Sequence, residues 1–464
     1  MRGSWRVAWA VLLIGAGCAG APGPEPPTNR SGVLPPAAVG AAPASTGRAS
    51  AAPAPVPRIA RACDLPASGA RPQLGDGEGG GCPSSSCGSN SPVLNVFPYN
   101  GLHPDGCVNQ DGAALEKFSL QRDLSPCDHG GKARLYLDVA ATPHGFELVG
   151  KDDHDAVVCS GTALVGATFQ VTGQVTGRVT GQVTGQVTGR VTGVPSAKLR
   201  ISQIGAIEAA RPGSGKPVTR TGYLITPFDQ PANSLCAARP PGEAEKPAPI
   251  LNSRSSKDGK LTTITEDMQS LYAIVIPGAV YSYRSQLIPE SVAADPARAG
   301  AGHRWFNLAC AGDALAHTEL SGMITQPIVD RASAEARLPG LHMYTAQYCD
   351  GVSATSRGTP IAWSAKGIAM VQPRPETGVG PIEARWNKDG ATCLSHSRLW
   401  VSNKTISLPA QLVAMPVFSD LAPPWDGTLS EHDFLTRLCG KRLEPCAGPA
   451  QPDTLTSYTV NHEK

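Results

Sequence analysis

The sequence predicts a mainly β fold of antiparallel, sandwich-like sheets with a few short helices, stapled by disulfides and preceded by a disordered N-terminal tether. Among the 464 residues are 51 glycines and 43 prolines, which interrupt helices and favour turns. Charged residues make up 17% of the chain and aromatic residues 5%, both low for a globular protein. The formal net charge of +2 gives no electrostatic footprint for nucleic acid, so no nucleic-acid partner is expected.

The first eighteen residues have the pattern of an export signal. Arg2 and Arg6 precede an apolar run over residues 7–17, which is too short for a permanent membrane span. The small residues before Cys18 resemble a bacterial lipobox, in which the cysteine is diacylated and becomes the new N terminus. Gly15 stands where that motif usually has leucine, so an ordinary signal peptide cleaved elsewhere is the alternative.

From this pattern we expect residues 1–17 to be a lipoprotein signal peptide and Cys18 to carry the lipid that anchors the protein to a membrane. Ala19 replaces the Asp that retains lipoproteins at the inner membrane, so the expected location is the outer membrane. Residues 18–91 are predicted to be an Ala/Pro/Gly-rich tether. Most of this stretch has too few bulky apolar side chains to offset the entropy lost on ordering.

The 13 cysteines fit an exported protein. Without Cys18 an even set of twelve remains, which predicts up to six disulfides in an oxidising compartment. No two cysteines have the Cys-x-x-Cys spacing of zinc ribbons or thioredoxin-like centres. Short spacing predicts the local pairs Cys82–Cys87 and Cys439–Cys446.

Residues 92–299 are predicted to form a β-rich domain. Alternating or short apolar stretches typical of strands occur at residues 134–139, 146–149, 199–201, 223–225 and 271–276. Helical patterns are few. One covers Asn307 to Leu320, and a capping box at Ser430 opens a short helix that ends near Gly440.

A low-complexity repeat interrupts the β-rich domain at residues 170–193. It contains six tandem Val-Thr-Gly copies, from Val171 to Gly193. One hypothesis is a β-ribbon that adheres to a surface or to itself. The favoured one is a duplicated insertion tolerated in an exposed hairpin, because surface insertions cost little loop entropy and regular glycines weaken a strand.

No motif for catalysis or metal binding is complete. The run from Cys107 to Gly112 has the middle of a calcium loop, but Phe118 stands where the closing glutamate is required. The Asp-Asp-His-Asp run at 152–155 offers ligand atoms, yet adjacent residues rarely converge on one ion, so a solvated loop is favoured. We therefore predict no catalytic residue, no metal ligand and no cofactor.

The C-terminal half carries aromatic, cysteine and Asp-Gly motifs in series: Trp305–Cys310, Ala346–Gly351, Gly358–Ile361, Gly367–Ile368, Trp386–Leu394 and Arg398. This series resembles the ADYC-domain proteins, a bacterial family of exported, often lipid-anchored proteins without an established activity. The resemblance covers roughly Arg304 to Cys446 and leads us to predict an ADYC-like domain over residues 300–447, followed by a C-terminal tail over 448–464. Gln347 replaces the acid of the naming tetrapeptide, so no acid at this position can act in catalysis.

The resemblance also bears on the cysteines and on the motif residues. The family tends to carry further cysteines soon after the position of Cys310 and shortly before that of Cys349. Both are absent here, which implies that Cys310 pairs with Cys349. We predict a structural role for the motif residues Tyr348, Cys349, Asp350, Gly351, Trp386, Asp389, Gly390 and Cys393, with Asp389-Gly390 at a hairpin-type turn.

These features favour a cell-envelope lipoprotein whose folded part is a non-enzymatic binding or structural module on a flexible tether, with an unknown protein or glycan partner. The alternative is a secreted hydrolase whose site residues are distant in sequence. A deep cleft with clustered acids or histidines of shifted pKa would favour the hydrolase. An exposed apolar patch without such a cleft would favour the binding module.

Overall fold

The computed structural model divides the chain into two units, Met1–Arg58 and Ile59–Lys464. The residues that the structure describes all lie in the second unit: 63, 65, 90–91, 94–95, 97, 99–119, 135–142, 145–173, 175–176, 192–193, 196–209, 218–237, 261–282, 284–292, 305–323, 328, 330–349, 359–365, 368–371, 378–398, 435–436, 439–449 and 454–461. Three cysteines of the sequence predictions lie outside these residues: Cys18, Cys82 and Cys87. Most of the helix predicted from Ser430 to near Gly440 also lies outside them.

The described part is mainly β, with antiparallel sheets and short helices, as the sequence predicts. The strands are β1 (Ala113–Ser119), β2 (Tyr136–Thr142), β3 (Gly145–Lys151), β4 (Val157–Ser160), β5 (Thr168–Gly173), β6 (Val175–Thr176), β7 (Thr192–Gly193), β8 (Ala197–Ala209), β9 (Val218–Pro227), β10 (Ala273–Pro277), β11 (Phe306–Cys310), β12 (Ala362–Ala365), β13 (Ile368–Val371), β14 (Gly378–Asn387), β15 (Gly390–Leu394) and β16 (Leu455–Asn461). The helices are α1 (Glu266–Gln269), α2 (Ala314–Leu320), α3 (Arg331–Glu335) and α4 (Leu338–Thr345).

The central element is a six-stranded sheet in the order β1-β5-β8-β9-β10-β11. Its strand β10 shows how both faces are buried, because alternate residues point to opposite sides. Ala273 and Val275 pack in the cluster that includes residues of β2, β3 and β4, whereas Ile274 and Ile276 pack with α2 and α4. The three-stranded sheet β2-β3-β4 thus covers one face and the helices cover the other.

Strand β11 corrects the helix predicted over Asn307 to Leu320. Its residues pair antiparallel with β10, from Ala273↔Cys310 to Pro277↔Phe306, and only Ala314–Leu320 is helical. All five residues of β11 are buried. A fully buried strand has an apolar run without period-two alternation, and periodicity alone does not separate such a run from a buried helix.

The repeat begins inside the six-stranded sheet. Val171, in the first copy, is 0% exposed in the main core cluster and pairs with Leu115 and Ala197. The second copy and the last copy then pair with each other through Val175↔Gly193. The insertion predicted to start at residue 170 therefore starts too early, because β5 needs residues 170–173 as a strand of the core.

The second large sheet has five strands in the order β13-β12-β16-β14-β15. Its central strand, β16, comes from the segment predicted as a C-terminal tail. Moreover, the predicted boundary between residues 299 and 300 separates β10 from β11, which are neighbours in one sheet. The pairing of β10 with β11 crosses the predicted boundary at residues 299/300, and β16 pairs with two strands from before residue 448. The described region is therefore not divided into domains at either position.

Four disulfides are seen between described cysteines: Cys63–Cys107, Cys236–Cys310, Cys349–Cys439 and Cys393–Cys446. Cys159 is also disulfide-bonded. The pairings predicted for Cys310–Cys349 and for Cys439–Cys446 are wrong, although all four cysteines form disulfides. Each of these four cysteines pairs with a cysteine 53 to 90 positions away in the sequence. The fold therefore brings distant segments within bonding distance, while Cys439 and Cys446, which are near in sequence, do not pair with each other.

Candidate functional site

The motif segment Ala346–Cys349 follows helix α4, and the way that helix ends determines where its side chains go. Ala346 has a left-handed backbone, with φ of 48°. The amide of Ala346 donates to the Met343 carbonyl and that of Gln347 to the His342 carbonyl, the pattern of a Schellman helix end. Glycine usually occupies this position, so the alanine holds a strained conformation that reverses the chain sharply.

Tyr348 points from this helix end into the core. Its ring stacks on Trp386, with 5.1 Å between centroids. Its hydroxyl donates to Glu383 over 2.5 Å and accepts from the Arg398 amide over 3.0 Å. Burial, followed by the neighbouring Glu383 charge, raises the pKa of Tyr348 well above its usual value, so the hydroxyl is a neutral donor here.

Glu383 and Arg398 form the ionic centre of this cluster. Arg398 Nε lies 2.8 Å from Glu383 Oε1, and the guanidinium also donates to the Met343 carbonyl over 2.6 Å. Glu383 is 0% exposed. A carboxylate buried to this degree is tolerable only with a close counter-ion and further hydrogen bonds. We call Tyr348, Glu383, Trp386 and Arg398 the buried cluster, and nothing in it is open to a ligand from solvent.

A polar cleft of about 300 Å³ lies on the other side of the motif segment. Four separate segments line it: the turn after Tyr281, helix α3, the end of α4 with the motif, and the β14–β15 turn. The lining residues are Arg284, Ser285, Gln286, Leu287, Arg331, Glu335, Leu338, His342, Gln347, Cys349, Lys388 and Asp389. This volume lies at the lower end of the range of small-ligand sites.

One carboxylate joins two walls of the cleft. Glu335 accepts from Arg331 at 2.7 Å within α3 and from Lys388 at 3.2 Å across the cleft. These hydrogen bonds, that from Arg331 first, lower the pKa of Glu335. A general acid needs a raised pKa, so Glu335 is suited to holding the walls together as a permanent anion.

The turn that carries Arg284 and Ser285 is strained and incompletely satisfied. Ser285 has φ of 54°, a conformation that is uncommon for residues other than glycine. It is 0% exposed, and its hydroxyl has no hydrogen-bond partner in the structure as described. The exposed guanidinium of Arg284 likewise has no ion-pair partner among the described residues. Strained residues and unsatisfied buried groups of this kind concentrate at functional sites.

His342 brings an imidazole to the same cleft. Its Nε2 lies 3.2 Å from the Lys388 carbonyl, which can only accept, so Nε2 carries the proton and donates. The Ser285 hydroxyl makes no hydrogen bond to this ring within the described chain. The cleft therefore contains a serine, a histidine and carboxylates, but not the bonded serine–histidine pair of a hydrolase.

The structure separates the residues that the sequence grouped together. Tyr348 and Trp386 belong to the buried cluster, Cys349 and Asp389 line the cleft, and Gly390 opens β15 after the two-residue turn Lys388-Asp389. Asp350 and Gly351 lie outside the described residues. Sequence reasoning missed Arg284, Ser285, Arg331, Glu335, His342, Gln347 as a cleft residue, Glu383 and Lys388. The only available signal was that several of them flank the motifs.

Two other groups of described side chains bring potential metal-ligating atoms together. Cys63, His103 and Cys107 lie together, but the cysteines form a disulfide. Asp152, Asp153 and His154 lie within 4.8 Å of one another in an exposed turn, where the Asp152 carboxylate accepts from two backbone amides. In the run from Cys107 to Gly112, where the sequence shows only an incomplete calcium motif, the Asn109 side chain similarly accepts from the amides of residues 111 and 113. The disulfide explains the first group, and hydrogen bonds from the local backbone explain the arrangement at Asp152 and at Asn109.

The described residues match neither the hydrolase hypothesis nor the binding-module hypothesis completely. A cleft is present, but the pKa of Glu335 is shifted away from that of an acid catalyst. Among the described residues, the large hydrophobic side chains that are exposed are Val157 and Phe228, from strand β4 and the residue after β9, which do not make a continuous patch with the cleft. No described helix is long and apolar enough to cross a membrane.

Residues 251–400 match the family model of the ADYC domain, which confirms the resemblance recognised in the sequence. The match begins before β10, well upstream of the predicted domain start, and it includes the whole cleft and the buried cluster. No curated protein and no solved structure matched the chain in the corresponding searches.

Proposed function

We propose that the protein is a cell-envelope lipoprotein, anchored at the outer membrane through Cys18, whose folded part is a non-enzymatic module that binds a protein partner in the polar cleft. The observation that carries the proposal is the cleft itself. It is built from four segments, braced by the shared carboxylate of Glu335, and strained at both Ser285 and Ala346. Such a site is organised in advance of binding.

The lining favours a charged polypeptide over a neutral glycan. Five of its side chains are basic or acidic, and no Phe, Tyr or Trp occurs among the described lining residues. A flat aromatic ring offers an apolar surface for stacking, whereas charged groups favour complementary charges on the partner. The disulfides support export, because such bonds persist in oxidising compartments.

The binding proposal is tested by photo-crosslinking in intact cells. A benzophenone amino acid is placed at Gln286, which is exposed and lines the cleft, and for comparison at Val157, which is 51% exposed on β4. A discrete adduct at position 286, absent at position 157 and lost when Lys388→Glu reverses a charge of the cleft, is expected. Equal adducts at both positions, or none at position 286, would refute the binding site.

The anchor is tested separately by feeding cells a clickable palmitate. Wild type is expected to be labelled and recovered with outer membranes, whereas Cys18→Ser is expected to be unlabelled. Cys63→Ser, which removes a disulfide cysteine, serves as the control and should keep the label. Equal labelling of wild type and Cys18→Ser would refute the anchor without bearing on the cleft.

The hydrolase alternative draws its support from the meeting of Ser285 and His342 in one cleft. The missing hydrogen bond between them and the lowered pKa of Glu335 count against it. Turnover of activated esters by wild type that disappears in both Ser285→Gly and His342→Gln would nevertheless place the alternative first.

A further inference from the structure

The charges at the rim of the cleft are unequal. Three basic side chains, Arg284, Arg331 and Lys388, face two acidic ones, Glu335 and Asp389. Glu335 is already engaged by both Arg331 and Lys388. Counted together, the three cations and the two carboxylates give the lining one excess positive charge before a ligand enters.

Arg284 lines the cleft from the turn after Tyr281. Its side chain is exposed and is without an ion pair in the described part of the chain. The next residue, Ser285, lines the same cleft with a fully buried hydroxyl that has no hydrogen-bond partner among the described residues. A hydroxyl and a guanidinium are both hydrogen-bond donors, and an oxyanion accepts from both.

We infer that the cleft binds an oxyanion group, a carboxylate or a phosphate, through the guanidinium of Arg284 and the hydroxyl of Ser285, with Arg331 and Lys388 supplying further positive charge. The inference rests on the proposed function, since it names the chemistry of the partner group that enters this cleft. Arginine is suited to the task because its planar donors match a carboxylate or phosphate in pairs.

The experiment measures binding of succinate and of inorganic phosphate to the full-length mature protein in detergent, by calorimetry and thermal shift at constant ionic strength. Both probes should bind wild type. Arg284→Gln should weaken binding about tenfold or more, the loss expected for a charge-assisted hydrogen bond. Lys198→Gln removes the same charge from β8, outside the cleft, and should bind like wild type.

Ser285→Gly provides a second variant. Glycine accepts the positive φ of this position, so the protein should fold, while the missing hydroxyl should weaken anion binding several-fold. The inference is overturned if neither probe binds wild type, or if Arg284→Gln and Ser285→Gly bind as wild type does. An unchanged crosslink at position 286 together with absent anion binding would leave the binding site in place and refute only its chemistry.

Discussion

Tyr348 and Gln347 are neighbours in sequence, but they face different environments. Tyr348 enters the buried cluster, where Glu383 is 0% exposed and Arg398 supplies its counter-ion. Gln347 lines the cleft, where Glu335 and Lys388 are paired yet partly exposed, with 22% and 54% of their side chains accessible. The same type of ion pair is therefore buried in the core on one side of the motif and partly exposed in a polar cleft on the other. Neighbouring residues of one sequence motif can thus lie in the core and in a polar cleft beside it.

The difference between the buried cluster and the cleft is tested most strongly by removing one arginine from each of them. Arg398→Met leaves the Glu383 carboxylate buried without its counter-ion and should cost about 3–5 kcal/mol of stability. Arg284→Met removes an exposed guanidinium and should change stability by less than about 0.5 kcal/mol. Urea unfolding of both variants gives the free energies. Similar losses in the two variants would remove the distinction between core and cleft.

Tyr348 separates the contribution of packing from that of hydrogen bonding. Tyr348→Ala should destabilise by about 3–5 kcal/mol because a large cavity forms beside Trp386. Tyr348→Phe keeps the ring and should lose about 1–3 kcal/mol, as the Glu383 carboxylate and the Arg398 amide lose a partner. Tyr458→Phe, which removes a hydroxyl bonded to Ser364 over 3.2 Å in a partly exposed position, is the control and should lose less. A Tyr348→Phe variant as stable as wild type would show that the hydroxyl network is unimportant.

Gln347→Asp restores the acid of the related motif and should cost about 1–2 kcal/mol, since Gln347 is only 2% exposed and the new carboxylate would be largely desolvated. It should create no hydrolytic activity, because the described cleft lacks a bonded nucleophile and base. Chemical denaturation together with an esterase assay checks both statements. Gln347→Glu, which adds the charge on a longer side chain, is the matched variant. Activity in either variant would contradict the architectural interpretation of the motif.

The smallest expected effect concerns pH. Hydrogen bonds from Arg331 and Lys388 lower the pKa of Glu335 below the ordinary value of a glutamate, 4.5. A carboxyl with a lowered folded-state pKa contributes stability above its unfolded pKa, and this contribution is lost as pH falls through the folded-state pKa. The difference in melting temperature between wild type and Glu335→Gln should therefore be present near neutral pH and shrink in acid below 4.5. A difference that grows on acidification would contradict this sign.

Part of the fold could be predicted because its causes are local. The alternation at residues 146–149 and the apolar run at 271–276 correspond to β3 and β10, since strand periodicity is written in consecutive residues. The cleft could not be predicted in this way, because its residues come from four separate segments. Ser285 and Ala346 have a left-handed backbone, but serine and alanine rarely adopt it, so the residue type does not indicate it.

The sequence by itself determined the β class, the cysteine-rich character of the chain and its ADYC resemblance. Composition, periodicity and the order of motifs are properties of the linear sequence, so they can be recognised without a structure. Only the tertiary structure decided which cysteines pair, that β16 occupies the centre of a sheet, and that Glu383 meets Arg398 in the core. These outcomes depend on contacts between residues far apart in the chain. Cys349 pairs with a partner 90 positions away, and no local preference encodes a distance that arises only when two sheets and the helices between them pack together.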